Sequence, residues 1–222
     1  MTRRLVTLTL FLLATTACTP YLNNGVSSTS PANPRIAFLG DSIMNGARDE
    51  IATAFDSQGH WWHHILAGPG WTVQDINDND NLVLASDPDA VVIAAGTNDT
   101  GQCLNDPECW PNVPTDRLDD IWDDYAAVGP EACHIGVTIV FDPGYRGAIN
   151  TRLYELQAEG MLTHVADWKA YSAGRTEWFI DGVGHLNAAG QQAFADFLLA
   201  ETETACFGTG EATRTPATAT PA

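Results

Sequence analysis

The sequence predicts an α/β fold, a five-stranded parallel sheet with helices on both faces. Three observations lead there. Short runs that are apolar throughout, such as AVVIAAG (Ala90 to Gly96), read as strands buried on both sides. Segments of helical periodicity separate these runs, which is the alternation that parallel crossovers need. Polar and glycine-rich turns follow the strands, where sheets of this kind bind ligands.

The globular unit runs from Arg35 to Phe207. RIAFLG (Arg35 to Gly40) is its first strand, after which Ile43, Met44, Ala47, Ile51, Ala54 and Phe55 recur at helical spacing. HHILAG (His63 to Gly68) is the second strand and AVVIAAG the third. In DRLDDIWDDY (Asp116 to Tyr125), Leu118, Ile121, Trp122 and Tyr125 share a helix face, and the five aspartates form its solvated side. HIGVTIVF (His134 to Phe141) gives the fourth strand, Ala148 to Glu159 a helix, and LTHVADW (Leu162 to Trp168) the fifth strand. Leu186, Ala189, Ala193, Phe194, Phe197 and Leu198 mark a closing amphipathic helix with Asn187 as its N-cap.

Outside this unit the chain reads differently. Arg3 and Arg4 precede an apolar run, Leu5 to Ala14, that is too short to span a bilayer. This layout resembles a bacterial lipoprotein signal, in which residues 1–17 are removed and Cys18 is lipidated. Cleavage by an ordinary signal peptidase is the alternative. Either route exports the chain, to the outer face of the cytoplasmic membrane or beyond it. Residues 18–34 form a polar tether and residues 208–222 a Thr/Pro/Ala tail, neither with core-forming content.

Cysteine usage agrees with export. Cys103, Cys109, Cys133 and Cys206 allow three pairings, of which Cys103–Cys109 and Cys133–Cys206 are favoured. Charge excludes one class of partner: 28 acidic residues against 10 basic ones give a net charge of −18, which repels nucleic acid and anionic polymers. A monomer, touching a membrane only through a lipid on Cys18, is expected.

The residues suited to chemistry collect after the strands. GDS (Gly40 to Ser42) follows the first, GPG (Gly68 to Gly70) the second and GTND (Gly96 to Asp99) the third. IDGVGH (Ile180 to His185) comes before the last helix. Ser42 supplies a hydroxyl nucleophile and His185 a base. The amides of Ser42 and Gly70, with the Asn98 carboxamide, supply donors for an oxyanion.

In these blocks the chain resembles the SGNH (GDSL-type) hydrolases, over about Arg35 to Thr204. The resemblance implies a flavodoxin-like three-layer α/β/α sandwich and an esterase or lipase activity on a small-molecule or glycan ester. It implies no metal and no organic cofactor. Ser42 would attack the ester carbonyl, His185 would take its proton, and Gly70, or alternatively Gly68, would contribute to the oxyanion hole with Asn98. The family's acid lies three positions before the histidine, whereas Asp181 lies four before His185. Either Gly182 and Gly184 bend the loop so that Asp181 meets the imidazole, or Asp181 only braces the turn. Acyl transfer to a cell-wall glycan, or a non-catalytic surface binding module of the same fold, are the other functions such a chain could serve.

Other motifs have plainer readings. Asp41 and Asp99 read as acceptors that fix their turns. HWWHH (His60 to His64) has histidines alternating along a strand and no carboxylate motif to make a metal site. DINDND (Asp75 to Asp80) starts like a calcium loop but has Asp80 where glycine is needed and Ser86 where glutamate is needed. A Cys103–Cys109 staple beside the oxyanion site would shape the acyl pocket, with Trp110 as a wall, or merely stiffen a surface loop.

Overall fold

The computed structural model describes residues 34–58, 62–103, 115–128, 132–141, 147–181 and 184–207. Five strands are present: β1 (Arg35–Gly40), β2 (Trp62–Ala67), β3 (Ala90–Ala94), β4 (Cys133–Val137) and β5 (His164–Ala166). They form one sheet in the order β2-β1-β3-β4-β5, with every pairing parallel. This is the flavodoxin-like doubly wound order, and its topological switch point lies between β1 and β3.

The connecting helices are α1 (Ser42–Gly46), α2 (Arg48–Asp56), α3 (Val73–Asn77), α4 (Asn81–Leu84), α5 (Thr97–Cys103), α6 (Asp116–Val128), α7 (Ala148–Glu159), α8 (Trp168–Tyr171) and α9 (Ala188–Cys206). Successive side chains of a strand point to opposite faces. Thus Ile36 and Phe38 of β1 join Met44, Phe55, Trp168 and Phe194 in one core. Ala37 and Leu39 join Val73, Trp122, Ile149 and Leu153 in the other. Two apolar cores separated by a sheet make three layers, as the sequence predicts. Leu118, Ile121, Trp122 and Tyr125 are all buried, so α6 turns its aspartates away from the core.

Three boundaries differ from the sequence expectation. The helical run after β1 breaks at Ala47, which caps both α1 and α2. The fourth strand stops at Val137 because the Asn150 side chain takes the next rung. Its Oδ1 accepts the Ile139 amide at 2.8 Å and its Nδ2 donates to the Ile139 carbonyl at 2.9 Å. The fifth strand ends at Ala166, where Asp167 accepts the Ala170 amide and starts α8. Cys133 and Cys206 form a disulfide that ties the start of β4 to the end of α9. The Cys103–Cys109 pairing, Trp110, His60 and Trp61 lie outside what the structure describes.

Candidate active site

Register brings the site together. Gly40, the last residue of β1, pairs with Ala67 on one side and Ala94 on the other, so three strands end abreast. The segments that follow carry Ser42, Gly70 and Asn98, and adjacent strands lie only about 4.8 Å apart.

Ser42 opens α1. Its turn is set by Asp41, whose Oδ1 accepts the Ile43 amide at 2.9 Å. Asp41 is 1% exposed, and burial pushes its carboxyl up to about 6 against the opposing hydrogen bonds from Ile43 and Thr97. The Ser42 amide, at the helix start, has no partner among the described residues.

The Ser42 hydroxyl meets His185 Nε2 at 2.9 Å, and His185 Nδ1 meets Asp181 Oδ2 at 2.5 Å. With the imidazole proton on Nδ1, facing the carboxylate, Nε2 is the acceptor for the serine hydroxyl. Asp181 Oδ1 also accepts the amides of Gly184 and His185, both at 3.1 Å. Asp181 therefore meets the imidazole, the first of the two arrangements open from the sequence, and braces the turn as well. Gly184 has φ +105, a left-handed conformation that absorbs part of the longer spacing; Gly182 is outside the described residues. The loop is closed below this pair. Phe179 bridges Leu186 antiparallel, Ile180 N–H donates to the His185 carbonyl, and Asn187 N–H donates to the Trp178 carbonyl. Asn187 then caps α9, accepting the amides of Ala189 and Gly190.

On the oxyanion side, Asn98 Nδ2 donates to the Trp71 carbonyl at 2.8 Å, which fixes the carboxamide and leaves its second N–H free for a ligand. Val73 N–H donates to Asp99 Oδ2 at 3.0 Å, a second tie between this segment and α5. Asp99 is buried, which raises its pKa, while the Val73 amide and Arg117, 3.6 Å away, oppose the shift. The Gly68 amide is already committed to the Gly40 carbonyl at 3.3 Å. The Gly70 amide has no partner among the described residues, so Gly70 fits the donor role and Gly68 does not.

The remaining motifs are structural. His63 is buried in β2, and burial lowers its pKa. Asp75 closes a capping box with Thr72 at the start of α3, and DINDND runs through the end of that helix and the turn that leads into α4. Among the described residues no three His, Cys, Asp or Glu side chains cluster as metal ligands. Sequence reasoning missed Trp71, whose carbonyl orients Asn98, and Arg117, which faces Asp99; neither position carries a local sequence signal. It also missed Lys169 and Arg175, which line an open cavity of about 410 Å³ bounded by Asp181 and Gly184.

The strand order, with a serine and an amide donor at the switch point, places the protein among the SGNH-type ester hydrolases. It belongs to the GDSL-like lipase/acylhydrolase family, whose model matches residues 38–193. A protein from Parabacteroides merdae described as a GDSL-like lipase superposes with a TM-score of 0.64 at 17% identity, over 77% of this chain and 95% of that one. Axe2, an acetylxylan esterase from Geobacillus stearothermophilus, gives a TM-score of 0.61 at 17% identity, over 76% and 93% of the two chains. At such identity the likeness is one of fold. O-acetyltransferase OatA of Staphylococcus aureus is 38% identical over 69 residues, 31% of this chain and 11% of that protein's length.

Proposed function

We propose that the protein is an exported esterase that cleaves short acyl esters, acetyl esters foremost, through a covalent Ser42 acyl-enzyme. The single observation that carries this reading is the continuous relay from Ser42 Oγ to His185 Nε2, 2.9 Å, and from His185 Nδ1 to Asp181, 2.5 Å. Ser42 Oγ attacks the carbonyl carbon while its proton passes to Nε2. The oxyanion is held by the amides of Ser42 and Gly70 and by Asn98 Nδ2. Collapse expels the alcohol, which leaves with the proton from His185. Water then attacks the acyl-enzyme, His185 taking its proton, and the carboxylic acid departs as Ser42 recovers its own.

The Trp71 indole packs on Gly68, so closely that a Cβ on Gly68 would lie 2.3 Å from the ring, which holds the segment that carries the Gly70 amide. The shared fold with an acetylxylan esterase agrees with an acetyl ester. Export is supported by the signal-like residues 1–17 and by the Cys133–Cys206 disulfide, a bond at home in oxidising compartments. Membrane tethering through Cys18 predicts that Cys18→Ala moves the protein from the membrane fraction to the soluble one.

The test of the activity compares p-nitrophenyl acetate with p-nitrophenyl octanoate, using wild type and Ser42→Ala. The acetate is the better substrate, and Ser42→Ala lowers kcat by about 10⁴- to 10⁶-fold. Full activity in Ser42→Ala overturns the nucleophile, and preference for the octanoate overturns the short acyl group. Transfer of acetyl to an added glycan in preference to water would make the protein a transferase.

A further inference from the structure

We propose that the alcohol portion of the substrate carries a negative charge, a carboxylate or a phosphate, held by Lys169 and Arg175 in the cavity beside His185. The proposal rests on the esterase reading and adds a substrate class to it.

Position is the first argument. His185 Nε2 returns its proton to the leaving oxygen, so the alcohol lies on the histidine side of Ser42. The cavity of about 410 Å³ borders the acid–base loop, with Asp181 and Gly184 in its wall and Val140, Phe179 and Ile180 as its apolar part; Ser42 and His185 themselves lie outside its lining, so an alcohol reaches it by extending past the imidazole.

Charge is the second. In a chain with 28 acidic residues and 10 basic ones, most described cations are spent on the protein itself. Arg35 pairs with Asp87 and Asp89, Arg152 with Asp119, Glu155 and Glu159, and Arg117 with Asp99. Arg48 donates to the carbonyls of Ile65 and Ala67. The remaining two, Lys169 and Arg175, both line this cavity, and Lys169 also borders a neighbouring one. Lys169 makes no ion pair among the described residues, and its amide donates to Thr138 Oγ1, which fixes the base of its side chain. The guanidinium of Arg175 lies 5.3 Å over the Trp178 ring, which steadies it, and 3.8 Å from an exposed Glu177 carboxylate, a contact worth little.

Among the described residues Asp181 is the only acidic one in the cavity lining, and its oxygens face His185 and Gly184. Asp167, which feels the Lys169 charge, and Glu177, near Arg175, lie outside that lining, so within it two cations face one described carboxylate. The charge of the whole molecule disfavours a long polyanion, so the fitting substrate is small: an acylated hydroxy acid, or a short acidic or phosphorylated sugar.

Three aryl acetates test the proposal: phenyl acetate, 3-acetoxybenzoate and 3-acetoxyphenyl phosphate, each rate divided by its hydroxide-catalysed rate to remove leaving-group reactivity. The readout is the ratio of anionic to neutral kcat/KM within each variant, so that a general loss cancels. Lys169→Met/Arg175→Met lowers that ratio about three- to tenfold, through KM, and Lys169→Arg/Arg175→Lys keeps it. If the double variant does not fold, the two single Met variants give the same comparison. A fall for only one anion identifies carboxylate or phosphate as the group recognised. A ratio equal in wild type and the Met variants overturns the proposal. No turnover of any ester by wild type, or equal turnover by Ser42→Ala, instead overturns the esterase reading beneath it.

Discussion

Asp181 spends both carboxylate oxygens on His185: Oδ2 faces the ring Nδ1 at 2.5 Å, and Oδ1 accepts the amide of the same residue at 3.1 Å. One group thus sets both the backbone and the ring of the base. The two jobs separate by mutation. Asp181→Asn keeps an oxygen for the amides but offers an N–H to Nδ1, favouring the tautomer that cannot accept from Ser42. It lowers kcat about 100- to 10,000-fold with little loss of stability. Asp181→Ala loses the amide acceptor as well and costs a further 1–2 kcal/mol or so in urea unfolding. Equal stabilities of the two variants would remove the bracing role.

The oxyanion donors make a second prediction. Asn98→Ala lowers kcat about 100- to 1000-fold, with KM nearly unchanged, because the lost bond forms only in the transition state. Gly70→Ala acts through the backbone. Its φ is +77 while nothing lies within 4 Å of an added Cβ, so the cost is conformational, about 1–2 kcal/mol, and not steric crowding. Re-aiming of that amide should lower kcat together with stability. A Gly70→Ala variant with full kcat would clear this amide from the mechanism.

Asp41 gives a pH prediction. Its folded pKa, about 6, stands above the ordinary carboxylate value because burial disfavours the charge. Below about pH 4 the group is protonated in folded and unfolded chains alike and contributes no penalty. As pH rises through 6 the buried group is forced to ionise, and stability falls, by up to about 3 kcal/mol, to a constant level above that range. Asp41→Asn retains the acceptor for Ile43 and removes the ionisation. The variant therefore matches wild type near pH 4 and exceeds it in urea unfolding at pH 7 to 8. A stability difference that is the same at both pH values would refute this.

The disulfide sets a fourth expectation. Cys133 and Cys206 are separated by 73 residues, so the bond restricts a long loop of the unfolded chain. Cys133→Ala/Cys206→Ala should lose about 2–4 kcal/mol, read as a lower thermal midpoint that reducing agent no longer changes. An unchanged midpoint would show the bond to be idle.

Much of the fold is legible because local pattern and tertiary environment agree. β1 is apolar on both faces and is buried on both, and α7 and the Asn187 cap lie where periodicity and capping chemistry place them. The early end of β4 was not legible, since its cause is a side chain from α7, Asn150, standing in for a strand. Ser42, Asn98 and His185 stand out in the sequence because each sits in a short motif beside a readable element. Lys169 and Arg175 have no motif. They share a cavity only because α8 and the turn after it fold back beside the Asp181 loop.

The rungs beneath that loop have a wider consequence. Phe179–Leu186 and the Ile180–His185 bond close the segment on itself, so the acid and the base belong to one self-contained clasp of chain. The nucleophile and the oxyanion donors belong to the sheet. The two parts are joined chemically by the Ser42 Oγ to His185 Nε2 hydrogen bond, while Phe179 and Leu186 of the clasp pack into the core that Ile43 and Met44 share. A clasp of this kind can lengthen by a residue without shifting a strand or α9, because the change stays inside the closed turn. The acid–base half of the chemistry behaves as a replaceable cartridge, free to vary in length while the sheet-borne half stays put.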